Sequence, residues 1–154
     1  MAEYSFTVER FSQVRQEAAA LFHEQYALMD CDRDAIPLDP DYDELDAACA
    51  MGRLLFITCR CEGAMVGYYL AVIRPHILSR HSLTSFQIGF YIVPAHRSGG
   101  KAVSMLALAI REVRSRGVQR MYGSANLEYQ GGRFGRLLEL AGFRPIETAF
   151  SKIV

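Results

Sequence analysis

No stretch of this 154-residue sequence approaches the roughly 18 consecutive apolar residues that a bilayer-spanning helix needs. The opening MAEYSFTVERF lacks the charged and then apolar pattern of an export signal, so the chain reads as cytoplasmic with no membrane partner. Four cysteines, Cys31, Cys49, Cys59 and Cys61, form no CxxC pair and are too sparse for a disulfide scaffold. They are expected to be reduced structural thiols, and no metal is expected. Repeats, low-complexity tracts and linkers are also missing. The length suits one hydrophobic core, and residues 1–154 are expected to form a single domain.

Net charge is absent too, with 17 basic and 17 acidic residues, but the two signs are segregated along the chain. Residues 1–70 hold 13 acids against 5 Lys or Arg, while residues 71–154 hold 4 acids against 12. If the fold keeps the halves on different faces, one offers a site for cations and the other a site for anions.

Hydrophobic period supplies the elements. Tyr4 to Phe11 alternates as a strand. After Ser12, a fair N-cap, Val14, Ala18, Leu21, Phe22 and Leu28 recur at helical steps to about Met29. PDYDELDAACAM, Pro40 to Met51, places proline at a first helical position with acids behind it, and Gly52 ends it. RLLFITCRC, the turn EG and AMVGYYLAVI predict a hairpin broken by Pro75, followed by a polar loop HILSRHSLTS. FQIGFYIV is a two-faced strand, and the helix near Lys101 runs to Gly117 with Arg111, Arg114 and Arg116 in its last turns. VQRMYGSA predicts a short strand, RFGRLLELA a helix closed by Gly142, and RPIETAFSKI a final strand.

The informative junction is YIVPAHRSGGKAV, Tyr91 to Val103, where a strand passes into a helix through proline, histidine, arginine, serine and two glycines. A helix N-terminus leaves backbone N–H groups unpaired and carries partial positive charge, so an anion there gains hydrogen bonds and dipole energy together. Gly99 and Gly100 permit close approach, and Arg97 and Lys101 add full charges. The pattern suits a phosphate, with a plain surface turn as the alternative.

IVPAHRSGGKA is similar to the acetyl-CoA-binding signature of the GCN5-related N-acetyltransferases, in which a strand ending V-x-P leads into Arg/Gln-x-x-Gly-x-Gly/Ala; Arg97, Gly100 and Ala102 fill those slots. The EG hairpin, the long helix ending in glycine and LELAGFRPIETAFSK extend the resemblance over nearly the whole chain, the first 50 residues matching in arrangement only. It implies an α/β fold with a mixed, mostly antiparallel twisted sheet of about six strands and about four helices. It also implies acetyl-CoA as co-substrate, with pantetheine beside the main chain of Tyr91, Ile92 and Val93. Pyrophosphate would rest on Arg97, Ser98, Gly99, Gly100, Lys101 and Ala102, and Asn126 would face the pantetheine arm.

Two departures concern the chemistry. The position four residues before Gly142, where relatives often carry a general-acid tyrosine, is Leu138. On the strand leading to the signature, where many carry a glutamate base, the nearest polar residue is Gln87, which does not titrate. Tyr129 and Tyr122 are the replacement acids nearest to Asn126, and His76, His81, His96 and Glu128 are candidate bases. Asp39, Asp41 and Asp43 lie in an acidic stretch, Asp30 to Asp46, that would recruit a cationic primary amine, small molecule or peptide. Because positioning a thioester and an amine supplies much of such a reaction, direct acyl transfer is the expected activity. A degenerate CoA- or partner-binding protein remains the alternative, as does a nucleic-acid-modifying enzyme, given the arginines of the second half. A homodimer is left open.

Overall fold

In the computed structural model, residues 1–154 follow the order β1 (Tyr4–Val8), α1 (Phe11–Met29), α2 (Tyr42–Ala50), β2 (Leu54–Cys61), β3 (Ala64–His76), β4 (Ser79–Ile92), a 3₁₀ turn at Pro94–His96, α3 (Lys101–Ser115), β5 (Val118–Tyr122) and α4 (Gly131–Leu140). The five strands lie side by side in chain order. β1 to β4 pair antiparallel, and β5 joins β4 in parallel. That is the mixed, mostly antiparallel sheet expected.

β2 is apolar at nearly every position because both of its faces are covered. Leu54 and Phe56 pack with Phe11, Val14, Ala18 and Phe22 of α1, and Leu55, Ile57 and Cys59 pack with Met105, Ala109 and Val113 of α3. Aromatic contacts tie the α1 layer to the sheet: Phe11 meets Phe56 edge-on at 5.3 Å and Phe22 meets Tyr68 at 4.9 Å between ring centroids. Arg60 pins the same layer through Glu17 at 2.8 Å and Glu9 at 3.1 Å.

Four local expectations need correction. α1 begins at Phe11, with Arg10 rather than Ser12 at the cap position. Asp41, not the Pro40 region, starts α2: its carboxylate accepts from the Glu44 amide at 2.9 Å, and Pro40 stays outside the helix. The expected loop after Pro75 is a tight hairpin, since antiparallel pairing continues to His76↔Ser79 and leaves Ile77 and Leu78 at the turn. RPIETAFSKI does not add a sixth strand. Beyond Phe143, whose amide closes α4 on the Leu138 carbonyl at 3.0 Å, the chain makes no backbone hydrogen bond, and a strand exists only where an edge pairs with it.

β3 and β4 approach closely at Gly67, opposite Ile92. A Cβ there would sit 2.7 Å from the Tyr91 carbonyl oxygen. Gly67→Ala is expected to destabilise the protein by about 1–3 kcal/mol through overpacking against backbone. Thermal unfolding should show Tm lowered by roughly 3–10 °C; a change within one degree would contradict this reading of the contact.

Candidate functional site

β4 and β5 pair only from Leu83↔Val118 to Phe86↔Tyr122, after which they part. β4 runs on to Ile92, whereas the chain beyond Tyr122 leaves the sheet. A bulge marks the place: Leu70 pairs with Gly89 and Ala71 with Gln87, so Ile88 is the additional residue. Gln87 closes the fork, its Nε2 donating to the Ser124 carbonyl at 3.0 Å. Between the two branches lies a cleft of about 950 Å³, walled by Gln87–Ile92 on one side and by Ser124–Asn126, Tyr129 and α4 on the other, with the C-terminal end of α1 above. Its size and largely apolar lining suit an elongated organic ligand.

At one end of this cleft is the β4–α3 junction. Gly99 and Gly100 adopt φ of 74° and 78°, a left-handed conformation that only glycine takes without strain. This turn aims successive amides outward, and none of the N–H groups from Ser98 to Val103 donates to a protein acceptor. No atom lies within 4 Å of a Cβ built on Gly100, so the approach is open. Six unspent donors stand at the start of a 15-residue helix, an arrangement whose chemistry suits an extended anion.

The two cations expected to serve that anion are engaged elsewhere. Lys101 Nζ donates to the Ser98 carbonyl at 2.5 Å and lies 4.1 Å from the centre of the Tyr4 ring. His96 pairs through Nδ1 with the Tyr4 hydroxyl at 2.8 Å. Arg97 turns into the cleft: Nε donates to the Ile92 carbonyl at 2.7 Å, Nη1 donates to Tyr129 Oη at 2.7 Å, and the guanidinium lies 5.5 Å and 5.3 Å from the ring centres of Tyr91 and Tyr129. Val93 donates its amide to the Val66 carbonyl at 2.9 Å.

Asn126 lines the cleft as a turn residue. Oδ1 accepts from the amides of Glu128 at 2.9 Å and Tyr129 at 3.2 Å, and Nδ2 donates to the Met29 carbonyl at 2.8 Å. A Cβ on Gly131 would stand 2.2 Å from the Asn126 carbonyl oxygen, so this loop requires glycine at the start of α4.

Four tyrosines line the cleft: Tyr26, Tyr68, Tyr91 and Tyr129. Tyr26 donates to the Ile36 carbonyl, Tyr68 to Gln25 Oε1, and Tyr91 to Glu24 Oε1 at 2.7 Å. Burial and the Glu24 carboxylate hold the Tyr91 phenol well above its ordinary range, and burial does the same to Tyr68. Tyr129 alone among the four donates to no protein atom. Tyr122 stands before the fork and outside the cleft, stacked on Phe86 at 4.6 Å with its oxygen accepting from Arg120 at 3.3 Å. Leu138 is buried against Gly123, and Gln87 Oε1 is buried without a partner.

The acidic stretch divides. Asp39 and Asp30 line the cleft, Asp41 caps α2, and Asp43 pairs with Arg15 at 2.9 Å. His76 and His81 occupy the far hairpin, where His76 Nδ1 accepts from the Leu78 amide at 3.2 Å and His81 Nε2 accepts from Arg80 at 3.2 Å. His81 is six residues from Gln87, roughly 20 Å along an extended strand, and neither histidine reaches the cleft. Glu128 also stays outside it. Sequence reasoning missed the contribution of α1, whose Gln25 and Tyr26 reach the site near the end of a helix chosen for its buried stripe. All four cysteines are free and none lines the cleft; burial pushes the Cys59 thiol up to about 11.

Known structures share this architecture. An aminoglycoside acetyltransferase from an uncultured soil metagenomic sample superposes with TM-score 0.78 at 13% identity, covering 99% of each chain. A ribosomal-protein-alanine N-acetyltransferase from Brucella melitensis biovar Abortus 2308 gives 0.72 at 14% identity, again with 99% of each chain. A predicted acetyltransferase from Clostridium acetobutylicum, solved with acetyl-CoA, gives 0.70 at 12% identity over 98% of this chain and 96% of that one. At these identities the likeness concerns the fold, and no curated protein matches significantly. The sequence itself matches the acetyltransferase (GNAT) family model over residues 17–131, three quarters of the chain including the whole anion turn, and the protein therefore belongs to the GNAT family.

Proposed function

We propose that this protein is an acetyl-CoA-dependent N-acetyltransferase that moves an acetyl group to a primary amine by direct attack. The observation that carries the reading is the run of unspent amides from Ser98 to Val103, at the end of a largely apolar cleft of about 950 Å³. The residues present fit the co-substrate: the amides of the α3 start suit a pyrophosphate, and the separated edge of β4 lies alongside the apolar slot. Named neighbours in the solved structures act on aminoglycosides and on a ribosomal-protein alanine, both amine acceptors.

The chemistry asks little of side chains. The amine lone pair forms the C–N bond at the thioester carbonyl while the π pair moves to oxygen; as the carbonyl re-forms, the C–S bond breaks and its pair leaves with sulfur. The surplus proton on nitrogen passes to water, and the thiolate takes a proton from a donor in the cleft. With Gln87 in place of a titrating base, the acceptor must arrive neutral or lose its proton to solvent. The rate should therefore rise with pH toward the amine pKa, near 10 for a lysine-like acceptor. Leu138 and Gln87 are also what a binding-only relative would carry, and thiol release with an amine separates the two. Several arginines of the second half have partners within the chain: Arg116 donates to the Leu54 carbonyl, Arg120 to Tyr122 and Arg136 to Glu139.

Calorimetry tests the anion site. Gly100→Ala and Gly100→Asp share the strain of a positive φ, so their difference isolates charge and bulk beside the amides. CoA binding should be weaker for Gly100→Asp than for Gly100→Ala by at least about 2 kcal/mol. Equal affinities in folded variants would remove the assignment.

The acceptor end is acidic where Asp30 and Asp39 meet the cleft. Asp30→Asn with Asp39→Asn should raise KM for a polyamine up to about fivefold per carboxylate at low salt, corresponding to about 0.2–1 kcal/mol for an exposed pair. KM for acetyl-CoA should not change, and the effect should fade in high salt. An unchanged polyamine KM would exclude this route.

No acetyl-cysteine forms on the pathway, because no thiol faces the cleft. Mass spectrometry after incubation with acetyl-CoA alone should show the unmodified chain; a stoichiometric adduct that transfers to an amine would contradict direct attack.

A further inference from the structure

We propose that Tyr129 is the proton donor to the departing thiolate and that Arg97 is a positioning residue that aims it, a division of labour resting on the acetyltransfer reading above. The argument begins with hydroxyl protons. Tyr26, Tyr68 and Tyr91 line the cleft, but each spends its proton on a protein acceptor: the Ile36 carbonyl, Gln25 and Glu24. Tyr129 Oη does the reverse, accepting from Arg97 Nη1 at 2.7 Å and donating to nothing. A phenolic O–H lies near the ring plane and has two favoured directions. Once the guanidinium fills one side of the oxygen, the proton is left pointing to the other.

Arg97 is equipped to hold that geometry. Its planar fork is fixed at one end by Nε on the Ile92 carbonyl at 2.7 Å and packed between the rings of Tyr91 and Tyr129. The second arm then spans the fork between β4 and the Ser124–Gln130 segment. The Tyr129 backbone is set separately by Asn126, whose Oδ1 accepts its amide at 3.2 Å. Backbone from Asn126 and side chain from Arg97 together leave the hydroxyl little freedom. In the reaction the Tyr129 O–H bond breaks, its proton goes to the CoA sulfur, and the phenolate faces a guanidinium cation until water returns the proton.

A further consequence separates this role from phosphate binding. Because the guanidinium is committed to Ile92 and Tyr129, the pyrophosphate is left to the backbone amides. Loss of the Arg97 side chain should therefore act on turnover and not on CoA affinity.

The experiment is a double-mutant cycle with thiol release as the assay and CoA calorimetry in parallel. Tyr129→Phe should lower kcat roughly 100-fold, the scale of a lost general acid. Arg97→Gln should lower kcat at least about tenfold with CoA affinity within twofold of the parent, and the double variant should be no slower than Tyr129→Phe. Arg97→Lys, which keeps the charge but cannot reach both partners, should restore no activity. Multiplying effects, or an Arg97→Gln defect confined to KM for acetyl-CoA, would overturn the proposal. A second readout needs no turnover: in protein labelled with ¹³Cζ-tyrosine, Arg97→Gln should move the Tyr129 resonance and leave that of Tyr122 in place. An unmoved Tyr129 signal would also overturn it. A parent that binds CoA but acetylates no amine would overturn the acetyltransfer reading instead, with the resonance still deciding whether Arg97 holds Tyr129.

Discussion

The separation of β4 from β5 after Phe86↔Tyr122 is the constraint from which the site follows. Two parallel strands normally stay paired, because each buried N–H and C=O needs a partner. Here the bulge at Ile88 shifts the β4 register by one residue, and Gln87 substitutes a side-chain bond to Ser124 for the next rung of the ladder. Past that point the edge of β4 is released, the loop carrying Asn126 and Tyr129 swings outward, and α1 covers the gap from above. The anion turn, the apolar slot and the acidic mouth are successive parts of one opening.

What could be read in the sequence was whatever depends on local chemistry. The strand-to-helix turn around Gly99 and Gly100 announces itself because left-handed backbone needs glycine and an N-terminus needs an anion or water. Element order was equally accessible, since the stripes of α1 and α3 and the unbroken apolar run of β2 record which faces are covered. Side-chain direction was not. Arg97 and Lys101 look alike as charges beside a phosphate loop, yet one reaches into the cleft and the other lies on Tyr4; that choice depends on β1 and on the 124–130 loop, far away in the chain.

The same limit governs the tyrosines and the acids. Tyr122 and Tyr129 were equal candidates by proximity to Asn126, and only the departure of the chain from the sheet between them separates their surroundings. Asp39, Asp41 and Asp43 alternate by two, but α2 begins inside the triplet, so a helix cap and an ion pair with Arg15 claim the later two. Residues 144–153 illustrate a different failure. RPIETAFSKI carries strand-forming residues, but a strand is a property of a pair, and no edge in this chain meets it.

Tyr4 holds two members of the anion turn from behind, Lys101 against its ring and His96 against its hydroxyl, while Arg97 is committed to Ile92 and Tyr129. What the turn would present to the proposed co-substrate is thus a row of peptide dipoles with little mobile charge in front of it. Such a surface recognises an anion by contour, since a dipole loses its hold within a few ångströms while a free ammonium attracts any phosphate across a Debye length. With its lysine tied to an aromatic ring on the opposite margin of the sheet, a turn that reads in the sequence as merely basic would act on the proposed co-substrate as a selective cradle.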